Sequence, residues 1–119
     1  MDRVELGERG GKTLVTLDFS GLDPEELAAV LEKAAAVIRS QPPKSVYTLT
    51  KVDGAHFNTE VIEALKEFAK GNDPYVTMGA IVGLSGLQKL VLTTVSKFSG
   101  RNFVVCGDVA EAESRLLSS

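Results

Sequence analysis

Apolar and polar positions change their period several times along the chain, and each change marks a new element. Val4 to Leu6 and Leu14 to Phe19 are short apolar runs separated by GERGGK. The glycines tolerate positive φ, so the two runs read as a β-hairpin with a loose turn. In DPEE, Asp23 takes the N-cap position, Pro24 the first helical position and Glu26 the reciprocal capping position. Leu27, Val30, Leu31, Ala34, Val37 and Ile38 follow at helical spacing, which turns one stripe toward a core, and Pro42 with Pro43 ends the helix.

Ser45 to Val52 is rich in β-branched and aromatic residues and leads into the turn-forming DGAHFN, so a strand and turn are predicted. Asn58 is placed as an N-cap, with Phe57 and Ile62 at staple spacing. Val61, Ile62, Leu65, Phe68 and Ala69 form the buried face of the helix that follows, and Gly71 is positioned to close it in the left-handed conformation. Tyr75 to Val82 is a nearly continuous apolar run, as expected of a strand covered on both faces. Ser85 caps a third helix whose predicted core stripe is Leu87, Leu90, Val91, Thr94, Val95 and Phe98, ending at Gly100. Phe103 to Cys106 is a last short strand, and Asp108 with Glu111 makes a capping box for a helix through Leu117.

Hairpin, helix, then strands alternating with helices implies right-handed crossovers. The fold class is α/β, with a mixed, mostly parallel sheet, an N-terminal hairpin and about four helices. At 119 residues and 44% apolar content the chain fits one domain over residues 1–119, with one core. Thirteen Lys and Arg against sixteen Asp and Glu give a net charge of −3, which offers no footprint for a nucleic acid backbone. The N-terminus lacks a signal-peptide apolar core and no run approaches the ~20 residues of a transmembrane helix, so a cytoplasmic protein is expected.

In such sheets, ligands gather beyond the carboxyl ends of the strands, which singles out VDGAHFNTE and VGLSGL. The second does not fit a hydrolase elbow, because Gly86 follows Ser85 directly, nor a phosphate-binding loop, because Leu87, Gln88 and Lys89 follow Gly86. What survives is a junction of Gly83, Ser85 and Gly86 whose amides cap a helix or hold a small anion. His56, the only histidine, lies among Asp53, Asn58 and Glu60, where ordinary turn chemistry competes with an acid–base or metal role. Asp18 and Asp53 each follow a strand-like run, a placement that would let them approach one another, though turn chemistry explains both equally well. Cys106 is the only cysteine and sits in FVVC as a small buried hydrophobe. These residues supply neither a nucleophile paired with a base nor a metal set, so no catalytic residue, metal or cofactor is expected. A receiver domain is set aside: LVTLDFSG offers one Asp18, and FVVCGD has no lysine before a proline. Lys89, Lys97 and Arg101 read as a solvated basic group, or as a surface for an acidic partner.

The order of elements, with LVTLDFSGL, SVYTLTKVDGAHFN, PYVTMGAIVGLSGLQKL and KFSGRNFVVCGDVAEAESRLL, resembles the STAS superfamily, named for sulfate transporters and anti-sigma-factor antagonists. More narrowly it is similar to the small stand-alone STAS/SEC14-like proteins. The resemblance implies a non-enzymatic regulatory module that docks on a protein partner, with docking switched off in the antagonists by phosphorylation within DSSGL at a strand-to-helix junction. By element order, Asn58 and Thr59 stand in place of that hydroxyl pair; by wording, SGL recurs at Ser85, Gly86 and Leu87. Element order favours Thr59, and Asp53, His56, Asn58 and Thr59 become the candidate switch and partner surface. The alternative implied by the SEC14-like similarity is a site for a small ligand or lipid, shallow or enclosed by a homo-oligomer, since so short a chain must also fill its own core. Hairpin edges leave self-association open.

Overall fold

A computed structural model describes residues 3–118. Gly10 and Gly11 both adopt positive φ, 57° and 80°, which reverses the chain in two residues. Strands β1 (Val4–Arg9) and β2 (Lys12–Asp18) therefore pair antiparallel from Arg9 opposite Lys12 to Val4 opposite Leu17. The rest alternates: α1 (Pro24–Arg39), β3 (Val46–Lys51), α2 (Thr59–Asn72), β4 (Val76–Val82), α3 (Gly86–Ser99), β5 (Phe103–Cys106) and α4 (Val109–Leu117). The sheet runs in sequence order, β1-β2-β3-β4-β5, with every pair after the hairpin parallel.

Because each crossover steps to the next strand in the same direction, α1, α2 and α3 share one face of the sheet. There Leu27, Leu31, Ala34 and Ile38 of α1 and Val61 of α2 pack on Val15, Leu17, Val46 and Ile81. The alternate residues of the same strands, Leu14, Leu49, Ala80 and Val82, face the other way and meet Ala112 and Leu116 of α4. Both faces of the central strands are thus covered, which accounts for the nearly continuous apolar run of β4. Cys106 is buried on the α4 face, and burial, then Glu111, raises its thiol pKa.

Four expectations change. The first is the stripe of α3, which is rotated: Gln88 and Val95 are buried, whereas Leu87 and Leu90 are 76% and 67% exposed and Phe98 is also exposed. The second is Gly71, which does not close α2; it lies inside the helix, where a Cβ would collide with the Arg39 guanidinium. That arginine instead reaches over Gly71, and its Nε donates to Asn72 Oδ1 at 2.9 Å. The third is Glu111, which does not complete a box with Asp108: Asp108 accepts from the Glu111 amide, but Glu111 Oε1 accepts from the Gly107 amide. The fourth is Arg101, which is not part of a solvated basic group and is 8% exposed.

Candidate functional site

The ends of β2, β3 and β4 deliver three loops to one edge of the sheet, and backbone hydrogen bonds stitch them together. The Gly21 amide donates to Asp53 O at 2.9 Å and the His56 amide to Leu22 O at 2.9 Å, tying the loop after β3 to the loop after β2. The Val52 amide donates to Val82 O at 3.0 Å, extending the register of β3 with β4. Gln88 closes the cluster from α3: its Nε2 donates to Val52 O at 3.2 Å and to Ala55 O at 3.0 Å. Val52 O already accepts from the Ala55 amide at 3.0 Å and gains a second donor, whereas Ala55 O has Gln88 as its partner. The polar residue that displaced Leu87 and Leu90 from the core is therefore the one that fixes the loop after β3.

Each residue singled out in the sequence has a defined place here. Asp53 is exposed, and its carboxylate lies across Gly83, whose φ of 88° and missing Cβ make room for it. His56 is exposed and held through its backbone. Asn58 caps α2, its Oδ1 accepting from the Val61 amide at 2.8 Å, and Thr59 is the first, exposed residue of that helix. Ser85 caps α3 in a full capping box: Gln88 Oε1 accepts from the Ser85 amide at 2.9 Å, and Ser85 Oγ from the Gln88 amide at 3.4 Å. Gly86 opens α3 and faces open space. Both candidate groups thus lie at the same edge, joined through Gln88.

Asp18 does not join this group. Its carboxylate accepts from the Ser20 amide and hydroxyl and pairs with Arg3. Burial pushes its pKa up, but the Ser20 hydrogen bonds, with Lys51 and Arg3 nearby, more than offset this and hold it below the ordinary carboxylate value. Among the described residues, no three His, Cys, Asp or Glu side chains converge to hold a metal ion, and no helix is long and apolar enough to cross a membrane.

Beside the loops, an open groove runs between the N-termini of α1 and α2, lined by Asp23, Glu25, Ala28, Asn58 and Glu60. The edge thus presents three kinds of surface: exposed leucines on α3, a carboxylate-lined groove, and Thr59 at a helix start. Sequence reasoning found the loops but missed Gln88 and the outward leucines. A glutamine inside an apolar stripe was the available signal.

No family model matches the sequence, and no curated protein matches it. Among solved structures, the chain is similar to an anti-sigma-factor antagonist (STAS) domain protein from Planctomyces limnophilus, with a TM-score of 0.65, 16% sequence identity, and 98% of each chain covered. At that identity the likeness is one of fold. The chain has the fold of a STAS domain, with the antiparallel hairpin leading a mixed five-stranded sheet and four helices.

Proposed function

We propose that this chain is a non-enzymatic regulatory module, working in the cytoplasm, that docks on a partner protein through the loop edge and the first turns of α3. The observation that carries the reading is the rotation of α3. Leu87 and Leu90 stand 76% and 67% exposed while Gln88 between them is buried. Two large apolar side chains displayed side by side next to a rigid loop cluster are costly to leave in water and form a natural centre for a docking patch. The STAS fold and the protein described as an anti-sigma-factor antagonist domain support the same reading by analogy.

Thr59 is the proposed switch. A phosphate there adds up to two negative charges at the start of α2, where the helix N-terminus stabilises them, so the fold tolerates the change. The docking surface does not, because the groove beside it already carries Asp23, Glu25 and Glu60. Affinity capture from native extract tests both parts. Wild-type protein is expected to retain a stoichiometric protein partner, Leu87→Glu to lose it, and Thr59→Glu to weaken it, with thermal unfolding unchanged. A partner held equally by all three variants would remove this surface; loss in Leu87→Glu alone would remove the switch and leave the module.

An acyl lipid is disfavoured as the physiological ligand. The apolar pocket between helices and sheet holds only about 80 Å³, well below the ~300 Å³ at which pockets for drug-sized ligands begin, and the roomier groove is lined by the carboxylates of Asp23, Glu25 and Glu60.

A further inference from the structure

The cavity lies on the inner side of α3, opposite the docking face. Helix α3 packs chiefly against α2 rather than on the strands, and the space it leaves over the sheet is floored by Thr48 and Thr50 of β3 and roofed by Leu65, Phe68 and Leu92. Arg101, at the exit of α3, also lines it. Its side chain is 7% exposed, and its guanidinium stacks 4.6 Å from the centre of the Phe103 ring.

A guanidinium carries five N–H donors, and this one is poorly satisfied. Nη1 donates to Ala69 O at 3.3 Å, and Nε lies 4.0 Å from Asp73 Oδ1, on a side chain that is itself 51% exposed. No acceptor among the described residues takes a hydrogen bond from Nη2. Nη2 points over the bare backbone of Gly79, where a Cβ would lie 3.4 Å from it, 2.8 Å from Thr48 Oγ1 and 3.2 Å from Phe103 Cδ1. Arg101 and Thr48 thus lie close together, and with Phe103 they line the otherwise largely apolar cavity. A buried cation whose carboxylate partner, Asp73, stands 4.0 Å away and half-exposed is only partly compensated, and a carboxylate is the group that matches the guanidinium fork.

We infer that this cavity is a binding site for a short-chain monocarboxylate, with the carboxylate on Arg101 and Thr48 and the apolar tail between Leu65, Phe68 and Leu92. One partly compensated cation selects a monoanion, and the apolar walls select a hydrocarbon tail over a second charge. The cavity of about 80 Å³ is roughly half the ~150 Å³ of an apolar cavity that admits benzene and several times the ~15 Å³ needed for one water, which limits the ligand to about two to four carbons. The inference is independent of docking, which uses the outer face of the helix.

Titration of the isotope-labelled full chain with sodium propionate at constant ionic strength, followed by NMR, tests it, with propionamide as the uncharged control. Saturable shifts are expected at Thr48, Gly79, Leu92 and Phe103, with a midpoint on the order of millimolar for so few atoms. Propionamide should bind at least about tenfold more weakly. Arg101→Met should abolish the response; because that change also alters a buried contact, Val91→Phe, which fills the cavity and leaves the arginine in place, provides the second variant and should weaken binding likewise. An equal response to propionamide, shifts confined to exposed lysines, the absence of a saturable shift, or undiminished binding in folded Val91→Phe would each overturn the site.

Discussion

Two glycines at the loop edge, only three residues apart, should behave differently on substitution. Gly83 has a φ of 88° and the Asp53 carboxylate where a Cβ would go; Gly86 has open space and ordinary φ. Gly83→Ala is expected to destabilise by about 1–2 kcal/mol through left-handed strain, and Gly86→Ala to be close to neutral, both read from urea unfolding. Gln88→Leu keeps the side-chain bulk but orphans Ala55 O and removes one of the two donors to Val52 O. A loss of about 1–3 kcal/mol is expected, with the faster hydrogen exchange concentrated at residues 52–56. Asp18 governs part of the acid response. Its folded pKa lies below its unfolded value, so its contribution is fully present above the unfolded value of about 3.9 and disappears as pH falls through the folded one. Asp18→Asn should therefore flatten the fall in stability below about pH 4.5, and an unchanged acid profile would show that another carboxylate dominates.

The elements were legible in the sequence where capping chemistry and period agreed. Asp23 and Glu26 form the expected box on α1, Asn58 and Ser85 cap the helices assigned to them, and Gly100 ends α3 with a φ of 73°. The facing of α3 was not legible. Its apolar residues are spread around the helix, so counting hydrophobic positions selected Leu87 and Leu90, whereas the carbonyls of Val52 and Ala55 on the neighbouring loop decided in favour of Gln88. The same limit applies to Gly71 and Arg101: one is small because a guanidinium from α1 crosses it, and the other is buried because it stacks on Phe103. Both depend on residues distant in sequence. At this scale, Leu87→Glu and Leu90→Glu should each change stability by no more than about 0.5 kcal/mol, whereas Leu116→Ala, removing a buried anchor of α4, should cost about 2–5 kcal/mol.

For the whole molecule, the parallel order of the sheet gathers the working loops at one edge, and α4 seals the opposite face so that β3 and β4 are covered on both sides. The free surface left for recognition is then asymmetric: an apolar helix face and an acidic groove at the loop edge. This edge is the proposed docking surface for a partner protein. Site-specific photo-crosslinking in native cells tests it most directly, with the crosslinker placed at Leu87 and, as control, at Glu113 on α4. The expected result is a discrete protein adduct from position 87 that is missing from position 113. Adducts of equal yield from both positions, or none from position 87 in folded protein, would contradict the account.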